Sequence, residues 1–163
     1  MQLIDLRRDN IDVAIRYGDG GWAGVHSTPL MPAGHTAVAA PSYLKDCDTD
    51  CLADLKGSRW LLDGNRSEEK LWVAQNGVDL DEEDVTYFAT GQLSREAALA
   101  GLGVTILPAP VAAGHISSGA LVKLCEEVDS TVAYHVLTRP EVVNPARDTF
   151  VKWLKAQTVE NRI

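Results

Sequence analysis

Apolar and polar positions fall in short alternating blocks along this chain, and the blocks read as strands and helices in turn. Ile11 to Tyr17 is a mostly apolar, β-favouring run that ends abruptly in Gly18-Asp19-Gly20-Gly21-Trp22. A buried strand that empties into a glycine-rich polar turn brings that turn to the rim of an α/β sheet, where small ligands bind. Before it, Leu3 and Leu6 share one face of a predicted helix end over residues 2–10, with Asn10 as the stop. After it, Val25 to Ala40 reads as extended chain broken at Pro29 and at Pro32-Ala33-Gly34, with Thr36 to Ala40 as the regular strand. A ligand-rim loop this near Met1 leads us to expect that part of a larger domain precedes it.

From there the pattern is regular. Asp48 to Lys56 reads as a short helix on Leu52 and Leu55, ended by Gly57. Arg59 to Leu62 is a strand, and Asp63-Gly64-Asn65 a turn. A helix opens near Ser67, carries Leu71, Trp72 and Val73, and closes at Asn76-Gly77. The acidic run Asp79 to Asp84 reads as a solvated loop. Val85 to Ala89, Val104 to Leu107, Leu121 to Leu124 and Val132 to Leu137 read as strands. Leu93 to Leu102, with Gly101 and Gly103 at its end, and Pro110 to Ser117 read as helices. A last helix starts at Asn144-Pro145, with asparagine as cap and proline in the first turn. Strands alternating with helices predict an α/β fold with a mostly parallel sheet.

Composition narrows the function. The chain has 163 residues, 45% of them hydrophobic, enough for one domain or two small lobes. No apolar stretch approaches the ~18 residues of a membrane span. The charge is −8, and the longest basic cluster is Arg7-Arg8, which argues against direct contact with nucleic acid. Cys47, Cys51 and Cys125 make an odd count without a CxxC pair, which fits a reducing cytoplasm better than a disulfide framework. Cys47 and Cys51 lack the second ligand pair that structural zinc takes.

No catalytic set assembles. The serines lack a GxSxG elbow, and His26, His35, His115 and His135 show no HExxH or HxxxH spacing. The turn at Gly18 has neither nucleotide-loop pattern. What recurs is a strand that ends in small polar residues just before a helix, at Asp63-Gly64-Asn65-Arg66-Ser67 and at Thr90-Gly91-Gln92. Free N–H groups at helix starts suit a small anionic or zwitterionic ligand. Plain helix capping by Ser67 and Thr90 accounts for the same residues equally well, and Asp19 serves equally as the stabiliser of its own turn.

Taken in order, DVAIRYGDGGWAG, AVAAPSYL, RWLLDGNR, AALAGLGVTILP, GALVKL, AYHVLTRPE and DTFVKWL resemble the LysR-type transcriptional regulators. The likeness is to the glycine-cleavage activator and AmpR-like subgroup, and it covers almost the whole chain. The resemblance implies a periplasmic-binding-protein-like effector domain of two α/β lobes, with lobe one incomplete. It implies that residues 1–40 are the remainder of lobe one, 41–130 lobe two, and 131–163 the return strand and a C-terminal helix on lobe one. It places a small-molecule effector between the lobes. Candidate contacts are Arg16, Tyr17, Gly18 and Asp19, then Asp63, Asn65, Ser67, Thr90, Gly91 and Gln92, with Tyr134 on the return strand. Tyr134 reads also as a core tyrosine. The implied protein is a cytoplasmic homo-oligomer without cofactor, metal or enzymatic activity. It meets DNA only through a helix-turn-helix outside this chain and has no membrane contact. The alternative from another class is a stand-alone solute-binding protein of the periplasmic type.

Overall fold

The computed structural model describes residues 5–44 and 51–160. They form two compact units. One contains residues up to Ala33 and from Thr131 onward; the other spans Gly34–Ser130.

The first unit is built on a three-stranded sheet. Strand β1 (Val13–Gly18) and strand β2 (His26–Pro32) flank β8 (Ala133–Thr138), and both pair with it antiparallel. The expected parallel pairing therefore does not hold here. Periodicity reports which residues are buried, not which strand lies alongside, so the direction was not readable. β2 runs through Pro29, where we expected a break, because it is an edge strand; its register shifts between Pro29 and Met31. Val136 and Leu137 of β8 are buried. The unit ends in α4 (Pro145–Glu160), opened as expected by Asn144, whose Oδ1 accepts the Arg147 amide at 3.1 Å. The hydroxyl of Thr158 on this helix donates to the Leu30 carbonyl at 3.3 Å. At the other end, residues 5–10 form a turn; Leu3 and the start of the expected helix end lie outside the described residues. Asn10 closes it with a φ of 51°, the left-handed stop its side chain tolerates.

The second unit is a five-stranded sheet in the order β5-β4-β6-β3-β7. These are β3 (His35–Ala39), β4 (Arg59–Asp63), β5 (Asp84–Phe88), β6 (Val104–Pro108) and β7 (Val122–Glu126). The three strands expected to share a sheet do so: β4 pairs parallel with both β5 and β6. β3 runs antiparallel between β6 and β7. It belongs to this sheet, so the boundary expected at residue 40 falls at 33 instead. Before β4 a 3-10 turn over Leu52–Leu55 replaces the expected helix; Cys47 and Asp48 to Asp50 lie outside the described residues. The acidic run gives up Asp84 to β5, where it meets Arg59 at 2.8 Å.

Burial of β4 explains the layering. Trp60 and Leu62 point to one face and pack with Trp72 and Val73 of α1 (Ser67–Gln75) and with Leu52 and Leu55. Leu61 points to the other face. There it meets Ala97 and Ala98 of α2 (Gly91–Leu99) and Ala112 of α3 (Ala109–Ser117). A parallel strand buried on both faces needs an unbroken apolar run, and Trp60-Leu61-Leu62 supplies it. Just before β6, a Cβ on Gly103 would collide with the Arg59 carbonyl oxygen, a position only glycine fits. The helix ends follow glycines read from the sequence: Gly57, Gly77 and Gly101 all have positive φ.

One polar cluster sits where the chain enters and leaves this unit. His35 is 2% exposed, stacks on Trp72 at 5.4 Å, and lies 2.7 Å through Nδ1 from Glu127 Oε2. The His35 amide donates to the same oxygen at 2.9 Å, and the Glu127 amide donates to the His35 carbonyl at 2.8 Å. Burial opposes the Glu127 charge. The His35 amide, the Ser130 hydroxyl and the His35 ring outweigh it and hold the carboxyl below its ordinary pKa. A lowered carboxylate pKa contributes stability that is present above the unfolded value and lost as pH falls through the folded one. We expect Glu127→Gln to cost about 1–3 kcal/mol at pH 7. In urea unfolding from pH 7 down to pH 3, its stability should fall less steeply than that of the wild type.

Candidate functional site

In the second unit, the carboxyl ends of β4 and β5 meet the starts of α1 and α2. Asp63, buried at the end of β4, accepts the Asn65 amide at 2.9 Å and the Asn65 side-chain N–H at 3.3 Å, both through Oδ1. Asn65 in turn donates to the Ala89 carbonyl at 2.9 Å, and the Gly64 amide donates to Phe88 at 2.9 Å. These bonds tie the β4 turn to the exit of β5. Thr90 then caps α2, its Oγ1 accepting the Leu93 amide at 3.4 Å. Gly91 follows, and a methyl group on it would sit 3.6 Å from both Asp63 Oδ2 and Arg66 Nη2. The structure thus brings Asp63, Asn65, Thr90 and Gly91 together. Gln92 is exposed on the first turn of α2.

Ser67 does not cap its helix. Arg66 occupies the cap position without a side-chain cap bond, and Ser67 is the first helical residue, exposed, with its hydroxyl 3.4 Å from Glu68. The Asp63 side chain has already organised the turn, so the helix begins one residue earlier than a serine cap requires.

Sequence reading missed the charges beneath this turn. Arg66 lies 3.5 Å from Asp63 Oδ2 and 3.1 Å from Glu69 Oε1. Glu69 is 1% exposed, and its Oε2 has no hydrogen-bond partner among the described residues. Burial, helped by the neighbouring Asp63 charge and opposed by Arg66, lifts the Glu69 carboxyl to about 8. The signal was present as Asp63, Arg66 and Glu69 at successive three-residue spacings, which put three charges on one side of a turn and helix start.

In the first unit, β1 and β8 set the geometry. Arg16 pairs in register with His135, and Tyr17 with Tyr134. Adjacent strand residues face opposite ways, so Arg16 and Tyr17 lie on opposite faces of the sheet. On one face the Arg16 guanidinium lies over the Trp22 ring at 4.4 Å, and Trp22 meets the His135 ring edge-on at 5.3 Å. Ser27 Oγ is 3.0 Å from His135 Nδ1. On the other face, half-buried Tyr17 and Tyr134 pack edge-to-face at 5.5 Å. Asp19 accepts the Gly21 amide at 3.4 Å and so stabilises its own turn. The turn is closely fitted: a Cβ on Gly18 would meet Trp22 at 2.9 Å, and one on Gly20 would meet His135 Cε1 at 2.5 Å. Trp22 and His135 were not singled out as contacts; a lone tryptophan and a lone histidine give no spacing to read.

Among the described residues, no group of three histidine, cysteine or acidic side chains could hold a metal ion. No described helix is long and apolar enough to cross a membrane.

Polar turns gathered at the strand ends of an α/β core are a place where small-molecule sites occur. Residues 1–159 match the LysR substrate binding domain, and the chain belongs to that family. It is 28% identical over 156 residues to the AhcY transcriptional activator HvrB of Rhodobacter capsulatus, covering 96% of this chain and 53% of the relative. It is 30% identical over 161 residues to the HTH-type transcriptional activator AmpR of Rhodobacter capsulatus, covering 96% of this chain and 54% of that protein. The chain therefore spans about half the length of these curated relatives. The solved AmpR effector binding domain from Citrobacter freundii superposes with a TM-score of 0.80 at 25% identity, over 97% of this chain and 80% of that one. The fold is that of LysR-type effector domains, periplasmic-binding-protein-like α/β units with mixed sheets.

Two outcomes test this local geometry. Gly20 has a φ of 91° and no room for a methyl group, so Gly20→Ala should destabilise the fold by more than about 1 kcal/mol and change Trp22 fluorescence. Glu69 has a raised folded pKa, so its contribution is fully present below the unfolded value and is lost as pH rises through about 8. Thermal melts from pH 5 to pH 9 should show the wild type weakening and Glu69→Gln holding nearly constant.

Proposed function

We propose that this chain is the effector-sensing and dimerisation part of a LysR-type transcriptional regulator. The family match over residues 1–159 carries this reading, and the likeness to a solved AmpR effector domain supports it. The chain binds a small molecule and catalyses nothing. Binding shifts the regulator between states of different DNA affinity, which is coupling between two sites. DNA contact belongs to a helix-turn-helix in the half of such a regulator that this chain does not span. The protein acts in the cytoplasm as a homo-oligomer, without a cofactor. The matched relatives are transcriptional activators, so the solute-binding alternative gains no support.

The proposed contacts are Arg16, Tyr17 and Gly18 with Tyr134 in the first unit. In the second they are Asp63, Asn65, Thr90, Gly91 and Gln92. Asp19 and Ser67 sit beside them in roles the turn and the helix start already explain. Thr90 is exposed and its Oγ1 accepts one bond from the start of α2, which leaves its hydroxyl proton for a ligand.

The test uses the full-length regulator that carries this domain. Its retardation of DNA from its own promoter region is measured against a library of small metabolites. A metabolite that changes retardation is then titrated by calorimetry. Thr90→Ala and Tyr134→Phe should each weaken binding by about 1–3 kcal/mol, the effect of removing a buried hydrogen-bond partner. Thr90→Ser, which keeps the cap, should bind nearly as the wild type. Unchanged affinity in both weakened variants would put the pocket elsewhere. Failure to bind DNA at all would remove the regulator reading.

A further inference from the structure

Among the described arginines, one stands apart in its charge pairing. Of its nine arginines, Arg162 lies outside the described residues. Seven of the other eight each have a carboxylate oxygen within 3.1 Å. Arg16 has none among the described residues, in a chain with 23 acidic residues and a charge of −8. The nearest acid in sequence, Asp19, is turned to the Gly21 amide. Arg16 is nevertheless half-buried and held in place by Trp22 at 4.4 Å.

A ring 4.4 Å from the guanidinium carbon occupies one side of that group. It leaves the in-plane N–H groups, a fork that matches the two oxygens of a carboxylate or phosphate. A half-buried cation without a counter-ion is costly unless something supplies the charge. The support under it is rigid. Trp22 rests against His135, Ser27 holds His135, and Gly18 and Gly20 give the turn no freedom to admit a side chain. On the same face of the sheet, the buried Nε2 of His135 also lacks a hydrogen-bond partner among the described residues.

We propose that Arg16, pre-oriented on Trp22, is the residue that recognises an oxyanion group of the effector. The effector is therefore an anionic small molecule that presents a carboxylate or a phosphate to the end of β1. This rests on the effector-binding reading above and adds the chemical class of ligand and the residue that selects it. Trp22 is a positioning residue, since it acts through Arg16.

The test titrates the isotopically labelled chain with succinate, inorganic phosphate and the neutral analogue succinamide at constant ionic strength. The Arg16 Nε–H and Trp22 indole resonances report binding. We expect saturable shifts with at least one anion and none with succinamide. Arg16→Met should weaken the response by at least about tenfold, the loss of a charge-assisted bond. Arg16→Lys keeps the charge without the fork and should fall between. Trp22→Phe should weaken the response while keeping its anion preference. A response to succinate alone identifies a carboxylate, and to phosphate alone a phosphate; either supports the proposal. Silence with both anions overturns it, as does a shift that persists in a folded Arg16→Met variant or one that succinamide reproduces. These failures leave the regulator reading standing, because that reading is decided by DNA retardation.

Discussion

Burial of β4 on both faces is the constraint from which the second unit follows. Trp60, Leu61 and Leu62 are each at most 2% exposed, so both faces of the sheet must be covered at this strand. Parallel neighbours on either side then force helical crossovers, and those crossovers are covers: α1 on the Trp60 and Leu62 face, and α2 on the Leu61 face, where α3 joins it. The same geometry fixes where chemistry sits. Parallel strands release their carboxyl ends on one edge, and the helices that follow start there. Asp63 and Thr90 reach one rim because the hydrophobic core leaves the chain no other route.

The rim itself is organised by local polar bonds rather than by packing. Asp63 closes its turn through Asn65, Asn65 binds the end of β5, and Thr90 caps α2. Beneath them Arg66 joins a buried carboxylate to a buried carboxyl group that burial keeps protonated near neutral pH. Glu69 in neutral form leaves Arg66 and Asp63 balanced. The polar clusters of the two units, each taken by itself, are therefore unlike. One has its arginine paired with two acidic side chains; the other has an arginine over an aromatic ring with no carboxylate partner among the described residues.

Continuous apolar runs and glycine stops made most elements legible in the sequence. Trp60-Leu61-Leu62 and Val104 to Leu107 could only be buried strands, and Gly57, Gly77 and Gly101 end their segments as read. Pairing direction was not legible. Ile15, Tyr17, Tyr134 and Val136 show which positions share a face, but alternation is the same for parallel and antiparallel neighbours. β3 was assigned to the wrong unit for that reason: Thr36 to Ala40 declares a buried strand, not the sheet that buries it. Of the site, the polar turn residues were visible because turn chemistry is local. Arg66, Glu69, Trp22 and His135 were not, because their roles come from what tertiary structure places against them.

β2 is an exposed margin of the first sheet, and such margins invite other chains to add a strand. This one carries Pro29 and Pro32, which have no amide hydrogen to offer, and its register slips between Pro29 and Met31. An incoming strand would find donors missing and the spacing broken within a single seven-residue stretch. The prolines that look like interruptions in the sequence thus guard the domain against edge-to-edge aggregation, and replacing them with β-formers would exchange a blunt margin for an adhesive one.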